Sequence, residues 1–495
     1  MSIKHFDVLV VGAGLSGIGA GYHLQTRCPN RSYAILESRD EIGGTWDLFR
    51  YPGIRSDSDM FTLGYSFRPW TADKSIADGA DILEYVRDTA REFGIDKHIR
   101  FGHRVLSSFW SSKEACWTVE MEVGAERQRV SYTCNFLYLC SGYYSYKSGY
   151  LPEFPGIENY QGQVVHPQNW PEDLDYSDKR VVVIGSGATA VTLVPTLAQK
   201  AKHVTMLQRS PTYIMSLPDD DKIANSLRKW LPGKLAHKAI RGKNVLLSMA
   251  IYRLCRHRPE FAKRLIRKGI EKRLPQGYAI DTHFKPTYNP WDQRMCLVPN
   301  GDLFRAIRKE QASVVTDRIA RFTEHGITTE SGEELQADIV VTATGLKLVP
   351  CGGIQFEVDG QRIEAGDTFS YKGLMMSGMP NAAICVGYTH ASWTLRADLS
   401  SLFVCRLLNY LDDNDYDQCT PRVEDPTMQQ QPLLDLNSGY ILRAVDQFPK
   451  QGPQAPWQQN QNYLRDLMDM KFAAVENKAL VFSRRADPAP LQRSA

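Results

Sequence analysis

The clearest signal of the fold lies near the start of the chain, in Phe6–Leu24, which reads FDVLVVGAGLSGIGAGYHL. Its run of residues 8–11 is short, apolar and rich in valine, as is typical of a parallel strand covered on both faces. Gly12, Gly14 and Gly17 follow in the spacing GxGxxG. The first glycine makes the tight turn, the second lets a pyrophosphate approach the backbone, and the third allows close helix packing. The stretch therefore predicts a strand, a phosphate-binding turn and a helix whose N-terminus favours anions.

The next apolar run, Tyr33–Leu36, predicts a second strand, and it ends at Glu37. A carboxylate at this distance from a GxGxxG turn is where the hydroxyls of a ribose are usually bound. Strand, turn, helix and acid together predict a dinucleotide site with Glu37 on the ribose.

A second unit of the same kind lies far along the chain, at Arg180–Leu197. Its turn reads GSGATA, with alanine in place of the third glycine, and the following strand ends at Arg209 instead of an acid. A guanidinium accepts a 2′-phosphate in two hydrogen bonds, whereas a carboxylate would repel it, so this site should prefer NADPH over NADH. The alternative is that Arg209 is an ordinary surface arginine. The residues expected to hold this cofactor are Gly185, Ser186, Gly187, Ala188, Thr189, Arg209 and Ser210.

Two dinucleotide sites in one chain indicate that electrons pass between two cofactors, and FAD with a nicotinamide is the ordinary combination. Disulfide reductases use this architecture together with a CxxC pair, but the ten cysteines of this chain are scattered and contain none. Molecular oxygen is the leading remaining electron acceptor. No metal site is expected.

The fold class predicted from these patterns is α/β, with two Rossmann-like dinucleotide-binding domains. We expect the FAD-binding domain to be discontinuous, comprising residues 1–145 and 336–484, because glycines and prolines at 142–156 and a strand at 339–341 mark two crossings. The NADPH-binding domain would span residues 146–335 with a helical insertion at about 222–290. A tail at 485–495, rich in proline and alanine, is predicted to be disordered.

Composition places the chain among ordinary globular proteins, with 43% hydrophobic and 23% charged residues over a length of 495. The net charge of +3 is too small to indicate a nucleic-acid partner. Scattered cysteines, the lack of a signal-peptide pattern and the lack of a long apolar run predict a cytoplasmic protein without a membrane-spanning helix.

The charge is strongly uneven. Residues Lys222–Pro275, here called the basic segment, hold 16 Lys or Arg against two acids, a local charge of about +14 that leaves the rest of the chain near −11. Apolar residues alternate with these cations at helical spacing: Leu246, Leu247, Ile251, Leu254, Leu265, Ile266 and Ile270. Two interpretations are open: a solvated helical cap over the substrate entrance, or a peripheral contact with anionic lipid.

Three further patterns carry a resemblance to a known family. Residues 160–171, YQGQVVHPQNWP, match the fingerprint FxGxxxHxxxW[PD] through Gly162, His166 and Trp170, with Tyr160 in place of phenylalanine. Residues 43–57 contain GGTW, YPG and Asp57, and Asp338 is followed by Ala343-Thr344-Gly345. In these patterns the chain resembles type I Baeyer-Villiger monooxygenases. Further stretches, such as residues 288–294 and 460–463, resemble the ethionamide monooxygenase branch.

The resemblance implies an enzyme that uses FAD, NADPH and O2 to convert ketones to esters or lactones via a C4a-peroxyflavin, with thioether oxidation as a side activity. It implies that Gly44, Thr45, Trp46 and Asp57 contact the cofactor. Arg294 would stabilise the negative charge of the reacting oxygen, and Asp57 would orient Arg294. The alternative for Arg294 is a structural ion pair with Asp292 or another acid.

The fingerprint residues His166 and Trp170 are expected to position the interdomain linker and the cofactor, although both could be ordinary core residues. Tryptophan at position 170 favours ketone oxygenation over the oxidation of nitrogen and sulfur in related flavin enzymes. Gln293 departs from the family, which commonly has lysine there. Trp393 and Asn462 lie in segments that could border the flavin or the substrate. Two alternatives stay open: a heteroatom flavin monooxygenase, and a flavin-binding redox sensor without turnover.

Overall fold

A computed structural model describes residues 3–485 of the chain. The tail predicted at 485–495 lies outside the described residues apart from Arg485. The strands, in chain order, are β1 (Lys4–Val11), β2 (Tyr33–Leu36), β3 (Ile99–Arg100), β4 (His103–Ser111), β5 (Cys116–Val123), β6 (Gln128–Leu139), β7 (Gln163–Val165), β8 (Arg180–Ile184), β9 (His203–Gln208), β10 (Ile214–Leu217), β11 (Cys296–Pro299), β12 (Ala312–Thr316), β13 (Ile319–Thr323), β14 (Gly326–Thr329), β15 (Glu334–Gln336), β16 (Ile339–Thr342), β17 (Gln355–Val358), β18 (Gln361–Ile363), β19 (Ser370–Tyr371), β20 (Met375–Met376), β21 (Ala382–Ile384), β22 (Gln418–Pro421), β23 (Gln431–Pro432), β24 (Lys450–Gln451) and β25 (Leu480–Ser483).

The α-helices connect and cover these strands. In chain order they are α1 (Leu15–Arg27), α2 (Thr45–Leu48), α3 (Met60–Leu63), α4 (Gly79–Glu92), α5 (Ala188–Leu197), α6 (Lys222–Trp230), α7 (Gly233–His257), α8 (Pro259–Glu271), α9 (Ile280–His283), α10 (Asp302–Arg308), α11 (Trp393–Asp413), α12 (Gly439–Leu442) and α13 (Tyr463–Lys471).

The larger sheet has the order β18-β17-β4-β5-β6-β1-β2-β3, and β21 also pairs with β6. Strands β2, β1, β6 and β21 run parallel where they pair, and residues 8–11 of β1 are almost completely buried because both faces of the sheet are covered. Helices α1 and α11 pack together on one face. Because β21 comes from a distant part of the chain, this unit is discontinuous, as predicted.

The second sheet has the order β12-β9-β8-β16-β7, and all of its strand pairs are parallel. Helix α5 follows β8 directly and buries most of its residues against the sheet. The first unit is built on the larger sheet and the second unit on this five-stranded sheet. Together they confirm the α/β class with two Rossmann-like domains. The predicted domain limits stay a prediction with one adjustment: β16 pairs with β7 and β8, so the second sheet extends beyond residue 335.

The chain passes between the two units twice, and the two passages lie side by side. Tyr150 donates its backbone N–H to the carbonyl of Gly345 at 3.0 Å, and Ser145 does the same to Lys347 at 2.9 Å. The side-chain hydroxyl of Thr344 adds a bond to the carbonyl of Tyr150 at 2.5 Å. The crossings are therefore two segments joined by hydrogen bonds and not two independent linkers.

Along the chain, helices α6 to α9 come between β10 and β11, two strands that pair with each other, in the stretch predicted as a helical insertion. The buried face of α7 packs Val245 and Met249 against Tyr388 and Leu395 of the larger unit. Within residues 3–485 there is no helix that could span a lipid bilayer.

His390 lies beneath α7 and is buried at 7% exposure. Its ring stacks on Tyr252 of α7 with 4.1 Å between ring centroids, and its Nδ1 bonds to the amide oxygen of Gln461 at 3.0 Å. Burial lowers the pKa of His390 to about 4, and the bond to Gln461 opposes this effect only in part. Folding therefore favours the neutral imidazole.

We expect Gly17→Ala to destabilise the fold by about 3 kcal/mol or more, because a Cβ at position 17 would lie 1.8 Å from the carbonyl oxygen of Gly12. Denaturant unfolding of the variant measures this loss. Gly187→Ala is the matched control, since a Cβ there meets nothing within 4 Å. Equal stability of the two variants would contradict the packing argument.

We expect the stability of the protein to fall as the pH drops from about 6.5 to about 4. In this window the unfolded chain binds a proton at His390 that the folded protein excludes, which costs up to about 3 kcal/mol. The free energy of unfolding of His390→Gln should depend less steeply on pH than that of the wild type. The control is His325→Gln, at an exposed histidine, and an equally reduced slope there would show that His390 is not the cause.

Candidate active site

A deep cleft of about 1020 Å³ lies between the two units. Both glycine turns open into it, and so do both interdomain crossings. The predicted cofactor and catalytic residues that line the cleft are Gly12, Gly14, Glu37, Gly44, Thr45, Trp46, Asp57, Gly185, Ser186, Gly187, Ala188, Thr189, Arg209, Ser210 and Arg294. Gly17 does not line it, because that residue packs helix α1 against the first turn.

The first turn is held tightly. Gly12 has a φ of +104°, and a Cβ there would lie 2.7 Å from the carbonyl oxygen of Cys140. The buried carboxylate of Glu37 accepts the backbone N–H of Ala13 at 2.8 Å. Gly14 lies at the N-terminus of α1, and no side chain caps this helix end. The unpaired N–H groups of the first helical turn are therefore free to bind an anion.

The second turn has the same construction. Gly185 has a φ of +138°, and α5 begins after Gly187 without a side-chain cap. The space around the missing Cβ of Gly187 is open, as a pyrophosphate site requires. The hydroxyl of Ser186 donates to the carbonyl of Ser210 at 3.1 Å, which ties the turn to the end of β9. Arg209 is exposed beside it and forms no ion pair with any of residues 3–485.

Arg294 and Asp57 form an ion pair in the cleft, with 2.5 Å between Nη2 and Oδ2. Arg294 is half-buried in the cleft wall, and 34% of its side-chain surface remains exposed. The Asp57 carboxylate raises the pKa of Arg294 above its ordinary value, although burial acts in the opposite direction. The guanidinium therefore stays charged and keeps N–H donors available. The alternative partner, Asp292, is paired with Arg256 at 2.9 Å.

Three tyrosines surround this ion pair. Tyr143, Tyr144 and Tyr440 all line the cleft and contribute to the electrostatic surroundings of Arg294. Burial raises the pKa of each of these phenols, so they are neutral at physiological pH. Arg294 is thus a cation within a polar but uncharged aromatic wall, where its field is weakly screened.

The two units also touch beside the ion pair. Arg55, two residues before Asp57, pairs with Asp302 of α10 at 2.5 Å. A Cβ on Gly53 would lie 2.1 Å from the hydroxyl oxygen of Thr196, so only glycine allows this close approach to α5. The segment at residues 51–57 is therefore pressed against the second unit, which places Asp57 opposite Arg294.

The fingerprint residues lie outside the cleft, behind the two crossings. The hydroxyl of Tyr160 donates to the carbonyl of Ala337 at 3.1 Å, so the departure from phenylalanine leaves no buried polar group unpaired. A Cβ on Gly162 would meet that hydroxyl at 2.3 Å. The ring of His166 packs against Gly149, and burial lowers the pKa of this histidine. Trp170 packs on the core of the second sheet.

Of the remaining predicted positions, some line the cleft and others do not. Gln293 and Trp393 line the cleft, and the indole N–H of Trp393 donates to the hydroxyl of Ser16 at 2.7 Å. Asn462 does not line it: its side chain accepts the N–H groups of Leu464 and Arg465 and caps α13. Asp338 pairs with Arg180 at 2.7 Å, which lowers the pKa of Asp338 to about 2.

Sequence reasoning missed part of the cleft wall. Tyr143 and Tyr144 lie in the loop after β6, at the carboxyl end of a strand, where ligand-contacting residues are common in α/β sheets, so the sequence did carry a signal for them. Tyr440 and Arg443 come from α12 and its end, in a stretch without any recognisable pattern. Their presence in the cleft follows from tertiary packing alone.

Comparison with known proteins shows close relatives over the whole chain. The FAD-containing monooxygenase EthA of Mycobacterium tuberculosis is 56% identical over 489 residues, which cover 99% of each chain. The putative FAD-containing monooxygenase MymA of the same organism is 48% identical, with 98% of each chain covered. The probable FAD-binding monooxygenase AlmA of Acinetobacter baylyi is 46% identical and covers 98% of this chain and 97% of its own.

Solved structures share the fold. Oxidised steroid monooxygenase bound to NADP aligns with a TM-score of 0.77 over 97% of this chain and all of its own, at 22% identity. The complex of OTEMO with FAD and NADP aligns with a TM-score of 0.70 over 85% of this chain and 87% of its own, also at 22% identity. At such identities the likeness concerns the architecture.

Two family descriptions match parts of the chain. Residues 10–72 match the NAD(P)-binding Rossmann-like domain, and residues 62–227 match the flavin-binding monooxygenase-like family. The first match covers the first glycine turn, and the second reaches across the crossing and the second turn. With relatives that are 46–56% identical over nearly its full length, the chain belongs to the family of FAD-containing, flavin-binding monooxygenases.

Proposed function

We propose that this enzyme is a Baeyer-Villiger monooxygenase that uses FAD, NADPH and O2 to convert ketones to esters or lactones, with thioether oxidation as a side activity. The observation that carries the proposal is the Arg294–Asp57 pair in a cleft reached by two dinucleotide turns. The balanced reaction consumes a ketone, NADPH, a proton and O2, and it yields an ester or lactone, NADP+ and water.

The residues present fit both cofactors. In the first unit, Gly14 and the uncapped N-terminus of α1 leave room and N–H donors for a pyrophosphate, and Glu37 lies at the adjacent strand end. In the second unit, Gly187 and the uncapped α5 do the same, with Arg209 at its strand end. When bound, reduced FAD would supply the activation of O2, with electrons that come from NADPH.

Arg294 is proposed to stabilise negative charge on the reacting oxygen atoms. A guanidinium is a planar, permanent cation with several N–H donors, so it can bind an oxyanion without losing its own proton. Asp57 occupies one side of the fork and fixes its direction, while the part of the side chain that faces the cleft stays available. The surrounding tyrosines are neutral, so they do not compete with a bound anion for this face.

The fingerprint residues are proposed to act on the crossings instead of on the substrate. His166 packs against Gly149 of one crossing, and it lies close to the backbone of Gly345 in the other. Trp170 and Tyr160 anchor the same region to the second unit. Their role would be to hold the angle between the two units, on which the position of Arg294 depends.

Product analysis decides between the proposed reaction and heteroatom oxidation. We expect paired ketone and amine substrates with 18O2 to give labelled ester or lactone and little N-oxide, as measured by mass spectrometry. Amine oxidation without ester would favour the heteroatom monooxygenase. NADPH consumption that no ketone, amine or thioether stimulates would favour the redox sensor.

We expect Arg294→Ala to lower the rate of ketone oxygenation by roughly a hundredfold to a thousandfold, because a preorganised donor to the developing oxyanion is lost. The variant should retain bound flavin, which its absorption spectrum reports. Arg256→Ala is the matched control. This arginine is also ion-paired, to Asp292, but it lies outside the cleft. Normal ketone turnover by Arg294→Ala would remove this residue from the mechanism.

We expect Arg209→Ala to reduce the preference for NADPH over NADH by roughly tenfold to a hundredfold, since the charged hydrogen bonds to the 2′-phosphate are lost. The ratio of kcat/KM for the two nucleotides measures the effect. Arg321→Ala, at an exposed arginine outside the cleft, should leave this ratio unchanged. An unaltered ratio in Arg209→Ala would mean that this arginine is an ordinary surface residue.

A further inference from the structure

We propose that helices α6, α7 and α8 form a docking face for an anionic lipid bilayer. The face belongs to the basic segment, Lys222–Pro275, and the inference is independent of the chemistry proposed for the cleft. It rests on three observations: exposed apolar side chains, cations without ion-pair partners, and the arrangement of both on single faces of these helices.

Large apolar side chains of the basic segment point into solvent. Trp230 is 84% exposed, Ile223 61%, Leu246 57% and Phe261 47%. Scattered exposed apolar residues are normal on protein surfaces, but several within three consecutive helices are a concentration that marks an interaction site. Tryptophan in particular favours the boundary between water and hydrocarbon, where its ring is buried and its N–H stays wet.

The apolar and basic residues share the outer face of each helix. On α7 this face follows helical spacing over nearly the whole length, through Leu235, Lys238, Gly242, Leu246, Ala250 and Arg253, all of which are exposed. On α8 it comprises Phe261, Arg264, Leu265 and Lys268, again all exposed. A helix with apolar residues flanked by Lys and Arg is the form in which proteins lie in the headgroup region.

The opposite faces of these helices are occupied by the protein itself. Ala236 and Ile240 of α7 pack with Ala224 of α6, and Ile270 of α8 enters the core of the second sheet. Trp230, Leu246 and Phe261 therefore point outward because the opposite faces of their helices are packed against the protein. The interpretation as a solvated cap over the substrate entrance accounts for the buried faces of these helices, but it does not explain the exposed apolar side chains on their outer faces.

Charge complementarity selects the occupant. Several cations on the outer faces form no ion pair with any of residues 3–485, among them Lys229, Lys234, Lys238, Arg253, Arg264 and Lys268. The segment carries about +14 while the remainder of the chain is near −11, so an anionic surface would be attracted to this side and repelled elsewhere. Nucleic acid would satisfy the cations but not the exposed Leu, Phe and Ile side chains.

The test is co-sedimentation of the full-length holoenzyme with vesicles of phosphatidylcholine alone or mixed with phosphatidylglycerol. We expect binding to the anionic vesicles only, and we expect it to weaken at high salt. The charge variant combines Lys234→Gln, Lys238→Gln, Arg264→Gln and Lys268→Gln, and it should lose binding by about tenfold or more. The apolar variant, Trp230→Ser with Phe261→Ser and Leu265→Ser, should also lose binding while keeping its flavin.

The matched control variant carries Lys113→Gln, Lys200→Gln, Lys202→Gln and Lys478→Gln, which remove the same charge from exposed positions outside the basic segment. It should bind anionic vesicles like the wild type. Equal loss in this control, or no vesicle binding by the wild type, would overturn the proposal. Binding to duplex DNA in place of vesicles would also overturn it. The same is true if the wild type is an oligomer that does not bind lipid and the apolar variant dissociates, because the apolar face would then join copies of this chain. Unchanged ketone or NADPH turnover in all variants would keep this result separate from the proposed reaction.

Discussion

The guanidinium of Arg294 lies against the carboxylate of Asp57, and this ion pair joins the two units within the cleft. Both charges are only partly buried, and their attraction holds together the two segments that supply them. Gly53 against Thr196 and Arg55 against Asp302 hold one of those segments on the second unit. The contact lies in the cleft that both nucleotide turns line, and each turn belongs to one of the two units.

The cleft combines this cation with surroundings that cannot neutralise it further. Tyr143, Tyr144 and Tyr440 bring hydroxyl dipoles without charge, and their burial keeps them protonated. In such a setting the electrostatic effect of a guanidinium reaches farther than it would in water. The wall therefore serves the chemistry indirectly, by keeping the charge of Arg294 directed at whatever occupies the open side.

Much of the fold could be predicted from local patterns. The turns at Gly12 and Gly185 are visible because a positive φ and a close backbone contact leave few residue types possible. Arg294 and Asp57 were found only through resemblance, since no local pattern connects residues so far apart. Tyr440 had no signal at all. Within the basic segment, the sequence shows helical spacing, but it does not distinguish Ile270, which is buried, from Leu246, which is exposed. That difference depends on what each helix packs against.

The pairing of the two crossings has a mechanical consequence. Two independent linkers would let the units rotate about several axes, whereas segments joined by the hydrogen bonds of Tyr150 and Ser145 to Gly345 and Lys347 resist twisting and shear. Bending across the narrow ribbon remains the soft direction. A rotation of one unit against the other would therefore bend this ribbon along one axis, and it would change the width of the cleft without sliding its two walls past each other.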